Sequence, residues 1–250
     1  MGRTDTGYPI EGLTVKYRAV FFDAGETLLA PHPSFQEIFA GVLARKGVEV
    51  DVADVTSAFT AIGPSFAQVL EHMGTSAWTT SREVSYEFWS RVYALAFAEL
   101  GLADLDGSYA SALYETFTRS ESYRLFPDAV PTLSLMKDTG LVLGLISNFE
   151  EWLEGMLIEM EVDPLFDVVV ISGKEGIEKP DAGIFNLALE RAGVSAQESV
   201  YVGDSIRNDV EASAAVGMTP VLIDRRDLHT SFEGARIQTL EELPSLLGMD

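Results

Sequence analysis

Phe21-Phe22-Asp23-Ala24-Gly25-Glu26-Thr27-Leu28 places a carboxylate directly after a hydrophobic run and follows it with Gly and Thr. The run itself, Arg18–Phe22, is apolar in succession rather than in alternation, the pattern of a β-strand covered on both faces. Asp23 then stands at the carboxyl end of that strand, held rigidly enough to act as a nucleophile or a metal ligand; an Asx-turn closing the strand uses the same residue types. Four further β-rich runs recur at Leu141–Ile146, Val168–Ile171, Ser199–Val202 and Pro220–Ile223. From residue 126 onward helical stretches separate them, the βαβ rhythm of a parallel, doubly wound sheet. The fold class expected is therefore α/β.

One interval breaks that rhythm. Between the first two strands the pattern is helical, with capping-box spacing at Ser34-Phe35-Gln36-Glu37 and again at Thr80-Ser81-Arg82-Glu83. After Thr80 come Val84, Phe88, Trp89, Val92, Tyr93, Leu95, Phe97 and Leu100, ending at Gly101. Apolar residues on nearly every face mark a helix central to a small bundle. The division expected is 1–30 for the first part of the sheet unit, 31–124 for an all-helical insertion, and 125–250 for the rest of the sheet unit. Residues 1–15, with Gly2, Gly7, Pro9 and Gly12, read as a loose leader. Trp78, Tyr86, Trp89, Tyr109, Tyr114 and Tyr123 read as bundle core rather than as pocket.

Three more segments fall just past predicted strands, along the edge where open parallel sheets bind ligands. In Ile146-Ser147-Asn148-Phe149-Glu150, Ser or Asn suits a helix N-cap, and a hydroxyl with free backbone N–H groups at a helix start is also an anion site. In Glu178-Lys179-Pro180-Asp181, Pro180 is expected to keep Lys179 extended and Asp181 to cap a helix ending at Gly193. Val202-Gly203-Asp204-Ser205-Ile206-Arg207-Asn208-Asp209 offers two carboxylates suited to a hard cation such as Mg²⁺.

The chain carries 39 Asp plus Glu against 17 Lys plus Arg, a formal charge of −22 over 250 residues. That balance argues against nucleic acid or an anionic membrane face as partner. Lysine is scarce (Lys16, Lys46, Lys137, Lys174 and Lys179), so one inside a motif stands out. Cysteine is absent, which removes disulfides, thiol nucleophiles and thiolate metal sites. The apolar runs are strand-sized, short of the roughly 20 residues of a membrane-spanning helix. Together with a start that lacks a signal-peptide core, this points to a cytoplasmic protein, monomer or dimer. His72 and His229 form no metal-ligating pattern, and His32 between Pro31 and Pro33 reads as a surface residue.

In their order, Asp after the first strand, Ser after the second, Lys-Pro after the third and Gly-Asp after the fourth, these segments resemble the haloacid dehalogenase (HAD) superfamily over nearly the whole chain. Phe126-Pro127-Asp128 and Gly140 are similar to that family's lead-in to the second motif. The resemblance implies a Rossmann-like core with an inserted α-helical cap. It also implies a magnesium-dependent hydrolase, most often a phosphatase of a small phosphorylated metabolite. By the same resemblance Asp23 is the nucleophile, and Ser147 and Asn148 hold the phosphoryl oxygens. Lys179 neutralises charge, and Thr27 and Gly203 support the motifs. Asp23, the Gly25 backbone carbonyl, Asp204 and Asp209 hold Mg²⁺. Family phosphatases usually carry a second Asp, the general acid and base, where this chain has Gly25, and a Gly where it has Glu26. Glu26 is the candidate replacement for the missing acid. Two other readings are a phospho-ligand or partner-binding protein without turnover, and a 2-haloacid dehalogenase; Gly203-Asp204 disfavours the second.

Overall fold

The computed structural model describes residues 8–10, 13–15 and 17–249. Tyr8–Ile10 (β1) pairs antiparallel with Leu13–Val15 (β2). Two stretches of the expected leader are thus paired strands, and its other residues lie outside the described residues. Ala19–Phe22 (β3) is buried throughout. Leu29–Pro31 (β4) then leads into five helices: Phe35–Arg45 (α1), Val52–Ile62 (α2), Phe66–Met73 (α3), Arg82–Glu99 (α4) and Ser108–Phe117 (α5). Tyr123–Leu125 (β5) returns antiparallel to β4, with Pro31 opposite Tyr123 and Leu29 opposite Leu125. The chain leaves for the helices and comes back through two strands lying side by side.

The rest alternates strand and helix: Ala129–Asp138 (α6), Val142–Ser147 (β6), Trp152–Glu159 (α7), Val168–Ile171 (β7), Ser172–Glu175 (α8), Ala182–Ala192 (α9), Ser199–Gly203 (β8), Ala212–Ala215 (α10), Thr219–Ile223 (β9), Arg236–Ile237 (β10) and Leu243–Leu246 (α11). Six strands form a parallel sheet in the order β10-β9-β8-β3-β6-β7. The chain builds outward from β3 on one side, then crosses back and builds on the other. The reversal leaves the carboxyl ends of β6, β3 and β8 adjacent, which is where a crevice opens in such sheets. The five runs read from the sequence are five of these strands. The sixth, β10, is two residues long and too short to carry a pattern.

Both faces of the sheet are covered, as the unbroken apolar runs require. Val20 and Phe22 point to one side with Leu143, Leu145, Val200 and Val202, under Leu133 of α6 and Leu157 of α7. Ala19 and Phe21 point to the other with Ile146, Val170 and Tyr201, under Ile184 and Phe185 of α9. This is the two-residue alternation of strand side chains, with each face finding an apolar partner. The helices α1–α5 have a separate cluster around Phe39, Leu43, Val55, Val92 and Phe97, and α4 packs against α2, α3 and α5. Ser34 caps α1 as expected, accepting from the Glu37 amide at 3.1 Å. At α4 the cap is Ser81 rather than Thr80, because the hydroxyl that reaches the Val84 amide is one residue later. Among the described residues no helix is long and apolar enough to cross a membrane.

Gly144 in β6 has a packing reason to be bare: a Cβ there would sit 2.2 Å from Cδ1 of Phe21, whose ring lies against the β6 backbone. Gly144→Ala should destabilise the protein by about 1–3 kcal/mol through overpacking, read as a lower denaturant midpoint at unchanged slope.

Candidate active site

Asp23 continues β3 by one residue: its amide donates to the Val202 carbonyl of β8 at 2.9 Å, which fixes the carboxylate at the switch edge. Asp23 Oδ1 accepts from Ser147 Oγ at 2.9 Å and from Lys179 Nζ at 2.7 Å. The same ammonium donates to Asp209 Oδ1 at 2.6 Å and to the Tyr201 hydroxyl at 2.9 Å. Its three donors are thereby all used. Tyr201 passes its own proton to the Ile146 carbonyl (2.9 Å) or to Asp209 Oδ1 (3.2 Å). Lys179 is 3% exposed, and a lysine that deep is held only because two carboxylates face it.

Lys179 and Pro180 are the central residues of a turn closed by the Asp181 amide on the Glu178 carbonyl (3.0 Å). The lysine backbone is gripped by Asn148, whose Nδ2 donates to the Lys179 carbonyl (2.8 Å) and whose Oδ1 accepts the Lys179 amide (2.7 Å). The Asn148 side chain therefore positions the lysine loop. Neither Ser147 nor Asn148 caps a helix: Ser147 ends β6, and α7 begins at Trp152. Asp181 does cap α9, accepting from the Gly183 amide at 2.7 Å, and that helix ends before Gly193.

Asp209 reaches the cluster from a π-helical turn, Ile206–Glu211, and its Oδ2 accepts the Ser205 amide at 2.9 Å. Gly203 makes room for it, since a Cβ at 203 would lie 2.4 Å from Asp209 Cγ. Asp23, Asp204 and Asp209 each offer a carboxylate oxygen within 4.8 Å of the others, an arrangement able to hold a metal ion. Burial pushes Asp23 upward against the pull of Lys179. Asp204 is pushed up to about 8, first by burial and then by the charges of Asp23 and Asp209. Burial alone would lower Lys179; Asp209 and Asp23 outweigh it and hold the ammonium above its usual range.

In the loop after Asp23, Glu26 adopts a left-handed backbone (φ 54°), a conformation that Gly takes without cost. A side chain on Gly25 would begin 3.3 Å from the Phe149 ring, so an aromatic face stands over that position. Thr27 is fully buried, and its hydroxyl has no hydrogen-bond partner among the described residues. Its carbonyl braces the loop instead, accepting Arg225 Nε at 3.2 Å and Nη2 at 2.7 Å, while Arg225 also pairs with both oxygens of Asp128. His32 is exposed.

No motif or periodicity points to Tyr201, Arg225 or the contacts that join the helices to the sheet edge. Glu178 Oε2 accepts the amides of Trp78 (3.0 Å) and Thr79 (2.8 Å) and the Thr79 hydroxyl (2.5 Å), one residue before Lys179. The Tyr114 hydroxyl donates to Glu150 Oε2 at 2.5 Å. Between these contacts lies a cavity of about 310 Å³ that reaches Gly25 and Glu26. Trp78, Trp89, Tyr114 and Tyr123 line it, a correction to their reading as bundle core alone; Tyr86 and Tyr109 do not.

Because Asp204 titrates well above the ordinary carboxylate value, its folded form keeps a proton that the unfolded chain has lost. Stability of the cation-free protein should therefore fall as pH rises from about 4 to about 8. Thermal midpoints taken in chelator should show that slope, and Asp204→Asn should flatten it. Glu178→Ala would leave two amides unmatched and the Thr79 hydroxyl with Ser172 alone; hydrogen exchange at Trp78 and Thr79 should speed up by about tenfold or more.

The model of the haloacid dehalogenase-like hydrolase family matches residues 17–217. The zebrafish (Danio rerio) haloacid dehalogenase-like hydrolase domain-containing protein 3 is 31% identical over 241 residues, 94% of this chain and 98% of its own. The phosphoserine phosphatase of Thermus thermophilus is 30% identical over 224 residues, 83% of this chain and 89% of its own. Among solved structures, a HAD phosphatase from Thermococcus onnurineus superposes with a TM-score of 0.60 at 26% identity, covering 92% of this chain and 98% of that one. With β3 and Asp23, the lysine turn and the acidic cluster all inside the matched span, this chain belongs to the haloacid dehalogenase-like hydrolases.

Proposed function

We propose that the protein is a magnesium-dependent phosphatase of a small phosphorylated metabolite, working through an aspartyl-phosphate on Asp23. The observation that carries this reading is the single ammonium of Lys179 bonded to both Asp23 and Asp209 beside a third carboxylate, Asp204, at the switch edge of the sheet. The names of relatives agree: one is a phosphoserine phosphatase, and others from methanogenic archaea are glyceraldehyde 3-phosphate phosphatases matching about half the chain or less.

The donor set suits the cation. All three side-chain ligands are hard carboxylate oxygens, with neither thiolate nor imidazole among them, the preference of Mg²⁺. Asp23, Asp204 and Asp209 would hold it with the Gly25 carbonyl. With Asp204 ionised, as cation binding requires, three carboxylates and one ammonium leave two negative charges, which a divalent cation cancels so that a phosphate dianion can enter. When bound, the cation offsets charge on the nucleophile and on the phosphoryl oxygens.

Asp23 then attacks phosphorus and the bond to the leaving oxygen breaks. Ser147 releases its bond to Asp23 and, with backbone amides of the loop after β6, receives the phosphoryl oxygens. Lys179, fixed by Asn148 and Tyr201, stays against the charge that develops. Water hydrolyses the acyl phosphate and returns Asp23. The acid and base usually held at position 25 is absent, a loss of about 10²–10⁴ in rate for leaving groups that need a proton. Glu26, which lines the adjoining cavity and faces Asp204 closely enough to raise it, is the carboxylate left to take part of that role.

Phosphate release with Mg²⁺ from acetyl, aryl and alkyl phosphates tests the reading. Asp23→Asn should lower every rate by about 10³-fold or more, and chelator should abolish turnover until magnesium is restored. Glu26→Gln should lower turnover of alkyl phosphates by about 10²-fold and of aryl phosphates less. A wild-type protein inert on all of them, yet binding a phosphate mimic only with Mg²⁺, would replace this reading with that of a phospho-ligand-binding protein.

A further inference from the structure

The cavity against Gly25 and Glu26 is where a group attached to the transferred phosphorus would lie, and its walls say what that group is. Aromatic rings make up much of them. Trp78 stands edge-on to Trp89 (ring centres 5.5 Å apart), Trp89 stacks on Tyr93 (5.6 Å), and Phe149 stands edge-on to Trp152 (5.2 Å). Among the described residues no lysine, arginine or histidine lines it, and the charged ones that do are Glu26 and Glu150. Glu150 is 5% exposed and its Oε2 accepts a hydrogen bond from the Tyr114 hydroxyl, while the buried indole N–H of Trp152 has no acceptor among the described residues. An apolar cavity of about 150 Å³ already takes up benzene. This one, at about 310 Å³, has room for two fused rings.

We propose that the substrate is an aryl phosphate monoester whose one- or two-ring leaving group carries no anionic substituent, an inference that rests on the phosphatase reading above. A carboxylate or second phosphate on the leaving group would meet two glutamates and no cation. An aromatic ring meets offset and edge-on partners on several sides. The chemistry agrees with the walls. With the acid usually at Gly25 absent and Glu26 taking only part of its role, a departing oxygen that can carry its own charge is favoured, and a phenol with a pKa of about 10 does so far more readily than an alcohol near 16. In the first step Asp23 oxygen bonds to phosphorus and the P–O(aryl) bond breaks, its electron pair leaving on the phenolate, which then takes a proton from water. The second step is the hydrolysis of the acyl phosphate to Asp23 and inorganic phosphate.

The test compares 2-naphthyl phosphate, 4-carboxyphenyl phosphate and acetyl phosphate on the full chain with Mg²⁺. Acetate is the best leaving group of the three, so preference for naphthyl must come from the cavity. The expected kcat/KM for 2-naphthyl phosphate exceeds that for each of the others by about tenfold or more, and Trp89→Ala lowers that for 2-naphthyl phosphate by about tenfold. All three tryptophans, Trp78, Trp89 and Trp152, line the cavity. Addition of 2-naphthyl phosphate to Asp23→Asn should therefore change intrinsic tryptophan emission saturably. Acetyl phosphate turned over as well as or better than 2-naphthyl phosphate would overturn the inference and leave the phosphatase reading standing. Equal use of the carboxylated and uncarboxylated aryl esters would overturn its exclusion of anions. Turnover of no phosphate ester at all would defeat both.

Discussion

The ammonium of Lys179 holds the site together. Asp23 comes from the end of β3 and Asp209 from the π-helical turn after β8, and both are buried; with no cation between them their charges would have to separate or be neutralised by protons. The lysine lets three segments far apart in sequence end on one point, and the sheet order supplies the point. Everything else near it serves to keep the lysine from moving: Asn148 on its backbone, Tyr201 on its third proton, and the turn through Pro180 that brings it inward. Removing one charged partner from such a buried pair costs several times more than the pair contributes by existing, so the arrangement is fragile to change at any of its three ends.

Much of this was legible in the chain, and for a definite reason. Parallel strands buried on both faces produce unbroken apolar runs, and the residue after each run must lie on the same sheet edge as the residue after every other. Asp23, Ser147, Lys179, Asp204 and Asp209 were found because the edge rule turns sequence order into spatial neighbourhood. The same rule says nothing of what a side chain beyond the edge will grip. Asn148 looked like a helix cap and caps none; its side chain clasps the Lys179 backbone, a contact separate from the amide that the resemblance assigns to phosphate. Pro180 looked like a stiffener, and the residues around it form a turn.

The contacts that escaped reading are pairings across long sequence separation without periodicity. Glu178 with Thr79, Glu150 with Tyr114, and Arg225 with Thr27 and Asp128 each join residues that no local pattern relates. The aromatic residues of the helices illustrate the same limit. A tryptophan on an amphipathic helix has the same spacing whether it fills a core or lines a hollow, and only the packing of α4 and α5 over the sheet edge separates Trp89 from Tyr109.

The pairing of β4 with β5 has a consequence for the chain as a polymer. Neighbouring strands β3 and β6 are separated by the whole of the helical segment, which would ordinarily make their meeting a long loop closure. Because Pro31 and Tyr123 lie opposite each other, that closure is made at the ribbon, and the sheet beyond it joins as though the helices were a tight bend. The entropy of closing a loop grows only with the logarithm of its length, so replacing a ten-residue turn by this excursion costs about 2 kcal/mol. The helices can therefore lengthen, shorten or be exchanged while the strands that carry the acidic cluster keep their register.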